Sequence, residues 1–271
     1  NDPQQVIGLF KGWLDAHPWD ELVDLAVEMG FAGIEVSDAL GDARLTGKGG
    51  PLDAYGARAT ARALRSRSLS LPVLDSSADI AGERDCTAEL RALVDLAQKT
   101  STELVSVRAL GEDESRVRAT LDALLPYAEE RGVTVIIETS GIYADTERLV
   151  ALMDGYASDY LGALWDVREP FRRCKEKPAI TIRNLGAYVK HVHMYDSDDD
   201  GTFNLVGEGT APIDDVMRAL ASVNYDGFVS LRWEPAWMED LTDPQVIFPH
   251  FVNYMARYND TKSRKKSHFL N

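Results

Sequence analysis

The amino-acid sequence predicts a single domain of the α/β class, a closed (β/α)8 barrel with eight parallel strands. Short apolar, β-branched runs alternate with longer segments of helical periodicity, and we count eight such pairs without a Pro- or Ser-rich linker between them. Eight βα units in about 250 residues is typical of this barrel, whose functional site forms at the carboxyl ends of the strands. A doubly wound open sheet is the alternative, but no G-x-G-x-x-G follows the first predicted strand.

Each element of the barrel is predicted from its own pattern. The strands are VIGLF (6–10), GIEVS (33–37), LSLPVLD (69–75), ELVSVRAL (103–110), VTVIIET (133–139), YLGALWD (160–166), KHVHMYD (190–196) and GFVSLRW (227–233). The helices cover 19–30, 52–66, 83–99, 114–131, 145–157, 178–189, 212–223 and 243–258. Pro18 and Asp145 precede helical runs as start signals, and Gly30 and Gly132 stand where a helix stops.

The composition limits the classes of function. A formal net charge of -15 argues against a protein that grips nucleic-acid backbones, and the one basic cluster, KSRKK at 262–266, lies near the end. We therefore divide the chain into a barrel, residues 1–260, and a basic, solvated and disordered tail, 261–271. Two distant cysteines suggest neither a disulfide framework nor a cysteine metal site, and no apolar run is long enough to cross a bilayer. With no signal-peptide pattern at the start, we expect a cytoplasmic protein without a membrane partner.

Polar residues at the predicted strand exits converge in such a barrel. They are Glu35, Arg108, Glu138, Asp166, His191, His193, Arg232 and Glu234. Glu138 and Asp166 end apolar runs, so each needs a cation, a hydrogen-bond donor or a raised pKa. With one imidazole they could form a site for Mn²⁺, Mg²⁺, Co²⁺ or Zn²⁺, or they could cap helices and pair with arginines. His191 and His193 share one face of a strand, and we expect only one of them, His193 near the exit, to reach a ligand.

Several motifs occur in the order found in a known family. These are GFAGIEV, VIIETSG, LGALWDVREPF, YVKHVHMYD, VGEGTAPI and YDGFVSLRWEPAW. Together they resemble the xylose isomerase-like barrel proteins, the sugar phosphate isomerase/epimerase group that shares its fold with endonuclease IV. The resemblance implies a divalent ion held by Glu, Asp, His and a second Glu from the fifth to eighth strands. Carried over, these positions are Glu138, Asp166, His193 and Arg232, so the fourth ligand is replaced by a cation.

Two further positions depart from the family pattern, and two are kept. Glu169 and Tyr195 stand where the family commonly has His and Lys, whereas Glu35 and the Gly207-Glu208-Gly209 turn are retained. In the proteins that this chain resembles, the ion stabilises an enediolate and two glutamates exchange protons, and only Glu138 of that pair remains. Arg232 could occupy the place of the ion by forking onto Glu138 or Asp166. It could also bind an anionic substrate group, or point aside while Glu234 or Glu169 completes a shifted metal site.

Two classes of function follow from these observations. The first is a sugar isomerase/epimerase-like enzyme, or a lyase or dehydratase, acting on a small keto-sugar or polyol-type substrate. Its catalytic residues would be Glu138, Arg232 and Glu234, and its substrate contacts Glu35, Arg108, Glu169, His191, Trp13, Trp165 and Trp237, although each Trp could equally be packing. The second is a metal-free, non-catalytic carbohydrate-binding or partner subunit, which predicts a pair between Arg232 and Glu138 or Asp166. An abasic-site nuclease is disfavoured by the charge, and a homodimer is common in this architecture.

Overall fold

The computed structural model of the protein describes residues 4–9 and 12–268. Eight parallel strands close into one barrel, which confirms the predicted (β/α)8 class. We label them β1 (Gln4–Leu9), β2 (Gly33–Ser37), β3 (Val73–Asp79), β4 (Leu104–Arg108), β5 (Thr134–Glu138), β6 (Leu161–Asp166), β7 (Val189–Met194) and β8 (Phe228–Leu231). Each strand pairs with its neighbours in the sequence, and β1 closes the ring against β8. Phe10, the last residue of the predicted first strand, lies outside the described residues.

Helices surround the barrel at the predicted places, with three short additions. They are α1 (Trp13–Ala16), α2 (Trp19–Glu28), α3 (Ala43–Thr46), α4 (Ala57–Ser66), α5 (Thr87–Thr100), α6 (Glu114–Glu130), α7 (Thr146–Tyr156), α8 (Glu169–Cys174), α9 (Pro178–Leu185), α10 (Ile213–Ser222) and α11 (Pro244–His268). The short helices α1, α3 and α8 follow β1, β2 and β6, where the sequence analysis predicts no helix. They shape the loops at the carboxyl ends of the strands.

Two boundaries differ from the prediction for clear reasons. Strand β3 begins at Val73 rather than at residue 69, because Pro72 has no N–H to donate to a sheet ladder. Helix α11 continues to His268, beyond the predicted end at residue 258, since no Gly or Pro follows that would stop it. The helix therefore includes most of the segment separated as a tail, and residues 269–271 lie outside the described residues. The division at residue 260 stays a prediction.

The close contact between β6 and β7 fixes how the residues of these two strands are aligned at the site. A Cβ on Gly162 would lie 2.7 Å from Cγ of Lys190 and 2.9 Å from the carbonyl oxygen of Tyr188, so only glycine permits this approach. The register then shifts between Ala163 and Leu164, which places Asp166 opposite His193. Because both faces of β6 are covered, all six of its residues are buried, and Asp166 enters the site fully desolvated.

A buried carboxylate holds the loop that leaves β7. Asp196 is 1% exposed and accepts hydrogen bonds from the backbone N–H groups of Ser197, Gly207, Gly209 and Ala211 at 2.8–3.0 Å. The GEG turn recognised in the sequence is thus folded around this carboxylate. None of the helices described in residues 12–268 combines the length and apolar character needed to cross a membrane. Cys86 and Cys174 are both free thiols.

Candidate active site

The guanidinium of Arg232 lies at the barrel mouth among three carboxylates. Arg232 directly follows β8, and its backbone N–H donates to the carbonyl of Met194 at 3.0 Å, so it extends the pairing with β7. Its Nη1 lies 3.3 Å from Oδ2 of Asp166 and 3.6 Å from Oε1 of Glu138. Its Nη2 lies 3.7 Å from Oε1 of Glu234. A fixed positive charge therefore stands between the two carboxylates that the sequence analysis assigns to a metal ion.

A second guanidinium contacts Glu138 from the other side. Arg108 ends β4, and its Nε lies 3.7 Å from Oε2 of Glu138, whose side chain is 7% exposed. The distances from both arginines to Glu138 exceed those of strong hydrogen bonds, so these contacts are ion pairs. Glu138 is consequently charge-compensated on both sides while it remains nearly buried.

The carboxylate of Asp166 is held from several directions. The hydroxyl of Tyr195 lies 2.8 Å from each of its oxygens, and the N–H groups of Arg168 and Glu169 donate to Oδ1 at 3.0 and 3.1 Å. Complete burial raises the pKa of Asp166 to about 6, with the charge of Glu138 adding to the shift and Arg232 opposing it. Asp166 therefore acts as an anchor for Arg232 and Tyr195.

A cavity of about 540 Å³ lies beside Arg108, Arg232 and Glu234. Its lining includes Ser37, Asp38, Ser77, Arg108, Arg232 and Glu234. At its rim, Arg44 is held by Asp15 at 2.7 Å and by Asp42 at 2.8 Å. Such a volume suits a small molecule, and the polar lining suits hydroxyl and carbonyl groups.

An aromatic group stands beside the mouth. The ring of Trp237 stacks on Phe203 with centroids 3.9 Å apart, and it lies 5.6 Å from the ring of Tyr195. The guanidinium of Arg168 lies 4.8 Å from the Phe203 centroid. Trp237 is half-buried, so part of its ring remains accessible.

A second polar cluster lies inside the barrel, fully enclosed. Nε2 of His191 lies 2.7 Å from Oε2 of Glu35, and Nε2 of His193 hydrogen-bonds Oε1 of the same carboxylate. Both imidazoles thus contact one carboxylate, because Glu35 presents its two oxygens toward β7 across the barrel, one to each ring. The expectation that only His193 reaches a ligand stays a prediction.

Asp75 completes this interior cluster. It is 5% exposed and accepts a hydrogen bond from the hydroxyl of Ser106. Burial, together with the neighbouring charge of Glu35, raises the pKa of Asp75 well above its usual range. Burial alone would raise the pKa of Glu35 too, but the two imidazoles and the hydrogen bond with Asp75 hold it well below its ordinary value. The two neighbouring carboxyl groups therefore cannot both be ionised here without a compensating charge.

The predicted site residues divide into three groups. Arg108, Glu138, Asp166, Arg232 and Glu234 meet at the mouth, and Glu35, His191 and His193 meet in the interior. The third group consists of Glu169 and the three tryptophans. Glu169 begins α8 and pairs with Arg168 and Arg173, at 3.3 and 3.8 Å.

The three tryptophans predicted as walls of a sugar site have different surroundings. Trp13 is 0% and Trp165 1% exposed, and both pack in the hydrophobic core. Nε1 of Trp13 donates to the carbonyl of Trp233 at 2.7 Å. This burial favours the packing interpretation for these two rings, and Trp237 is the one that stands at the mouth.

Two residues of the clusters were not assigned a role from the sequence. Asp75 ends the predicted strand LSLPVLD, the same position that Glu138 and Asp166 hold in theirs, so collecting every strand-final acid would have found it. Tyr195 was noted only as a departure from the family. A polar residue that follows an apolar strand, as Tyr195 follows β7, is the signal that indicates its contact with the site.

The mouth residues do not fit the divalent ion that the fold family implies. An ion between Glu138 and Asp166 would meet the Arg232 guanidinium, which cannot ligate a metal and repels one. His193, the predicted third ligand, contacts Glu35 instead. Among residues 4–9 and 12–268, one group of three or more His, Cys, Asp or Glu side chains has ligand atoms within 4.8 Å of one another, and it consists of Glu35, His191 and His193.

The fold and these polar strand ends define the class of protein. Residues 23–246 match the family described as xylose isomerase-like TIM barrel, and the chain belongs to that family.

Known proteins similar to this chain include sugar epimerases. A fructoselysine 3-epimerase of Escherichia coli O157:H7 is 24% identical over 132 residues, which are 46% of this chain and 47% of that protein. The chain thus spans about half the length of the curated relatives it matches. The crystal structure of an L-ribulose 3-epimerase superposes with a TM-score of 0.78 at 16% identity, covering 99% of this chain and 98% of the other. A probable 3-DHS dehydratase from Bacillus anthracis gives 0.75 at 14% identity, covering 93% and 98%.

Proposed function

We propose that the protein is a sugar isomerase/epimerase-like enzyme that acts on a small keto-sugar or polyol-type substrate. The observation that carries this proposal is the ion pair of Glu138 with Arg232, whose side chain lines a cavity of about 540 Å³ at the barrel mouth. Membership of the family and the similarity to the fructoselysine 3-epimerase support the class of reaction. A cytoplasmic location and a homodimer stay predictions.

The reaction begins with the removal of a proton from a carbon next to a carbonyl group. Glu138 is the base, because it is a nearly buried carboxylate at the mouth. As its oxygen takes the proton, the electron pair of the C–H bond moves toward the carbonyl oxygen and forms an enediolate. The negative charge on that oxygen needs a positive partner in a site from which water is largely excluded.

Arg232 supplies that positive partner. Its guanidinium stays charged throughout: burial lowers its pKa, but adjacent Tyr195, Glu138 and Asp166 together raise it above its ordinary value. Asp166 fixes Nη1 at 3.3 Å, and Tyr195 in turn fixes Asp166. The site therefore stabilises the enediolate with a protein cation, without a metal ion at the mouth.

The proton returns by one of two routes. Glu138 itself can deliver it to the former carbonyl carbon, while the hydroxyl proton of the original carbon moves to the former carbonyl oxygen, which is an isomerisation. A second acid on the other face of the substrate can deliver it to the original carbon, which is an epimerisation, and Glu234 is the candidate because it lines the cavity. A dehydratase or lyase would share the first step and then expel a hydroxyl group from the adjacent carbon.

A non-catalytic carbohydrate-binding subunit is the second candidate function. The observation in its favour is that Arg232 pairs with both Glu138 and Asp166, as that alternative predicts. The two candidates differ in turnover, since a binding subunit would retain the ion pairs and hold a sugar without exchanging its protons.

The experiment is a proton-exchange measurement in deuterated water. A panel of ketopentoses, ketohexoses and their phosphorylated forms is incubated with the protein, and deuterium entering the carbon next to the carbonyl is followed by NMR. The proposal expects exchange with at least one substrate, and its loss in Glu138→Gln. The exposed Glu129→Gln is the matched control and should retain exchange. Sugar binding without exchange across the panel would contradict the enzyme proposal and favour the binding subunit.

A further inference from the structure

The interior cluster contains four metal-ligating side chains that the proposed reaction does not use. Glu35 comes from β2, Asp75 from β3, and His191 and His193 from β7. Their exposed fractions are 0%, 5%, 0% and 1%. Strands β2 and β7 therefore direct one carboxylate and two imidazoles to one point inside the barrel, and the carboxyl group of Asp75 lies next to Glu35.

The two histidines point their Nε2 atoms at the same place. Nε2 of His191 lies 2.7 Å from Oε2 of Glu35, and Nε2 of His193 contacts Oε1, with the ring centroids 5.6 Å apart. Alternating residues of a strand face the same side, so a His-x-His sequence delivers two imidazoles to one ligand. The ligand atoms of these three residues all lie within 4.8 Å of one another.

The carboxyl group of Asp75 provides an independent indication of a missing positive charge. It makes side-chain contact with Glu35, while its Oδ2, which is buried, receives no N–H or O–H hydrogen bond within the described part of the chain. Two carboxyl groups can touch in a closed interior only when a proton or a cation lies between them. The structure supplies no Lys or Arg contact for Glu35 or Asp75 among the ion pairs of residues 4–9 and 12–268.

We propose that Glu35, His191 and His193 bind one divalent transition-metal ion, such as Zn²⁺ or Co²⁺, inside the barrel, with the carboxyl group of Asp75 beside it. This site goes beyond the proposed function, because that reaction uses Glu138 and Arg232 and none of these three residues. Two imidazole nitrogens and one carboxylate form a ligand set that Zn²⁺ accepts, with a fourth position left open. Two carboxylates and a divalent ion also leave no net charge in the buried cluster.

The dimensions of the cluster suit this occupant after a small adjustment. Ligand atoms about 2.0–2.2 Å from Zn²⁺ in a tetrahedron lie roughly 3.4 Å from one another. The 2.7 Å between Nε2 of His191 and Oε2 of Glu35 is shorter, so the ring and carboxylate separate by less than about 1 Å when the ion enters. Rotation about side-chain bonds provides such a movement while β2 and β7 stay in place.

The test is elemental analysis of the protein purified without chelator from cells grown with added Zn²⁺ or Co²⁺. We expect about one bound ion per chain in the wild type, and less than about a tenth of that in His191→Asn and in Glu35→Gln, because each removes a ligand. Glu138→Gln tests the location, since an interior ion is retained when the mouth carboxylate is changed. His17→Asn, whose ring pairs with Glu21 on the outside, is the matched histidine control and should retain the ion.

If an interior variant does not fold, the coordination of the ion can still be measured in the wild-type protein. X-ray absorption of the bound Zn²⁺ should show scattering from two imidazole rings, whereas the ligand positions at the mouth include one histidine. Wild-type protein without ion under both metal supplements would overturn the proposal. An ion lost in Glu138→Gln, or coordinated by a single imidazole, would place it at the mouth and overturn both this site and the metal-free mechanism. An empty protein that still exchanges substrate protons would overturn this proposal alone.

Discussion

Two carboxyl groups are buried at the mouth of this barrel and two in its interior, and they have different partners. At the mouth, Glu138 and Asp166 are balanced by the guanidinium of Arg232, which lies 3.3–3.6 Å away and is covalently part of the chain. In the interior, Glu35 hydrogen-bonds two imidazoles and contacts Asp75, and neither carboxyl group has a Lys or Arg ion pair within the described part of the chain. The carboxylates at the mouth therefore have a permanent positive partner, and those in the interior do not.

Because of this difference, the two regions suit different kinds of chemistry. A permanent guanidinium can stabilise a developing negative charge without leaving the site, so it suits a reacting centre open to a cavity. Imidazoles and carboxyl groups can release protons and accept a metal ion, so they suit a closed binding site. In our proposals, Arg232 keeps a metal ion from the mouth, and the interior is the region able to hold one.

The largest expected effect concerns the base at the mouth. Glu138→Gln keeps the size of the side chain but removes the carboxylate that takes the proton, so kcat/KM should fall by about 10²–10⁴. The rate is measured as deuterium exchange on the substrate found in the panel. Glu35→Gln provides the comparison from the interior: if it lowers the exchange rate as much while the fold is kept, the separation of the two regions is wrong.

The next effect is on stability when the fixed cation is removed. Arg232→Met leaves Glu138 and Asp166 without their shared partner, and we expect the free energy of unfolding in urea to fall by about 3–5 kcal/mol near neutral pH. Arg67→Met, which removes an exposed pair with Asp24, is the control and should change it by less than about 1 kcal/mol. Equal losses in both variants would show that the ion pairs of Arg232 stabilise the protein no more than an exposed ion pair does.

The free energy of unfolding of Arg232→Met should also depend on pH more strongly than that of the wild type. The pKa of Asp166 is raised from 3.8 to about 6 in the folded protein. Between these two pH values the folded protein therefore holds a proton on Asp166 that the unfolded chain has lost. The contribution of Asp166 to stability is thus largest at low pH and decreases as the pH rises through the interval from about 4 to 6. Removing Arg232, which opposes the shift, should make the variant lose more stability than the wild type between pH 5 and pH 8.

A smaller effect is expected for the hydroxyl that holds Asp166. Tyr195→Phe removes the group that lies 2.8 Å from both carboxylate oxygens, and the loss of this buried donor should lower the free energy of unfolding by about 1–3 kcal/mol. Tyr55→Phe, at a side chain that is 95% exposed, serves as the control for urea unfolding. If Tyr195→Phe behaves like this control, Tyr195 does not anchor the mouth.

The smallest effect is expected in the interior. In chelator-treated protein, Asp75→Asn replaces a protonated carboxyl with an amide that can also donate to Glu35, so stability should change by less than about 1 kcal/mol. The comparison variant is Asp166→Asn at the mouth, where an ionised group paired with Arg232 is neutralised. A loss in Asp75→Asn larger than that in Asp166→Asn would show that Asp75 is charged and that the two regions are more alike than the structure indicates.

Several features of the site could be predicted from local sequence. Glu138 and Asp166 each end a run of apolar residues, and that position predicts the mouth of a barrel because parallel strands end together. The strand boundaries were predicted within a few residues, and the exception at β3 follows from Pro72. The contact of both histidines with Glu35 could not be predicted in this way, since it joins residues separated by more than 150 positions.

The sequence by itself determined the periodicity of the strands and helices, the closed barrel, and the polar groups that stand at the strand ends. These depend on residues near one another in the chain, whose alternation and start signals act locally. Only the tertiary structure decided that Arg232 lies between Glu138 and Asp166, and that His193 contacts Glu35 rather than Asp166. The physical reason is that β7 and β2 are separated in the ring by β8 and β1, so their interior side chains meet only when the barrel closes. Closure brings the charges together, and burial makes each of them require a partner.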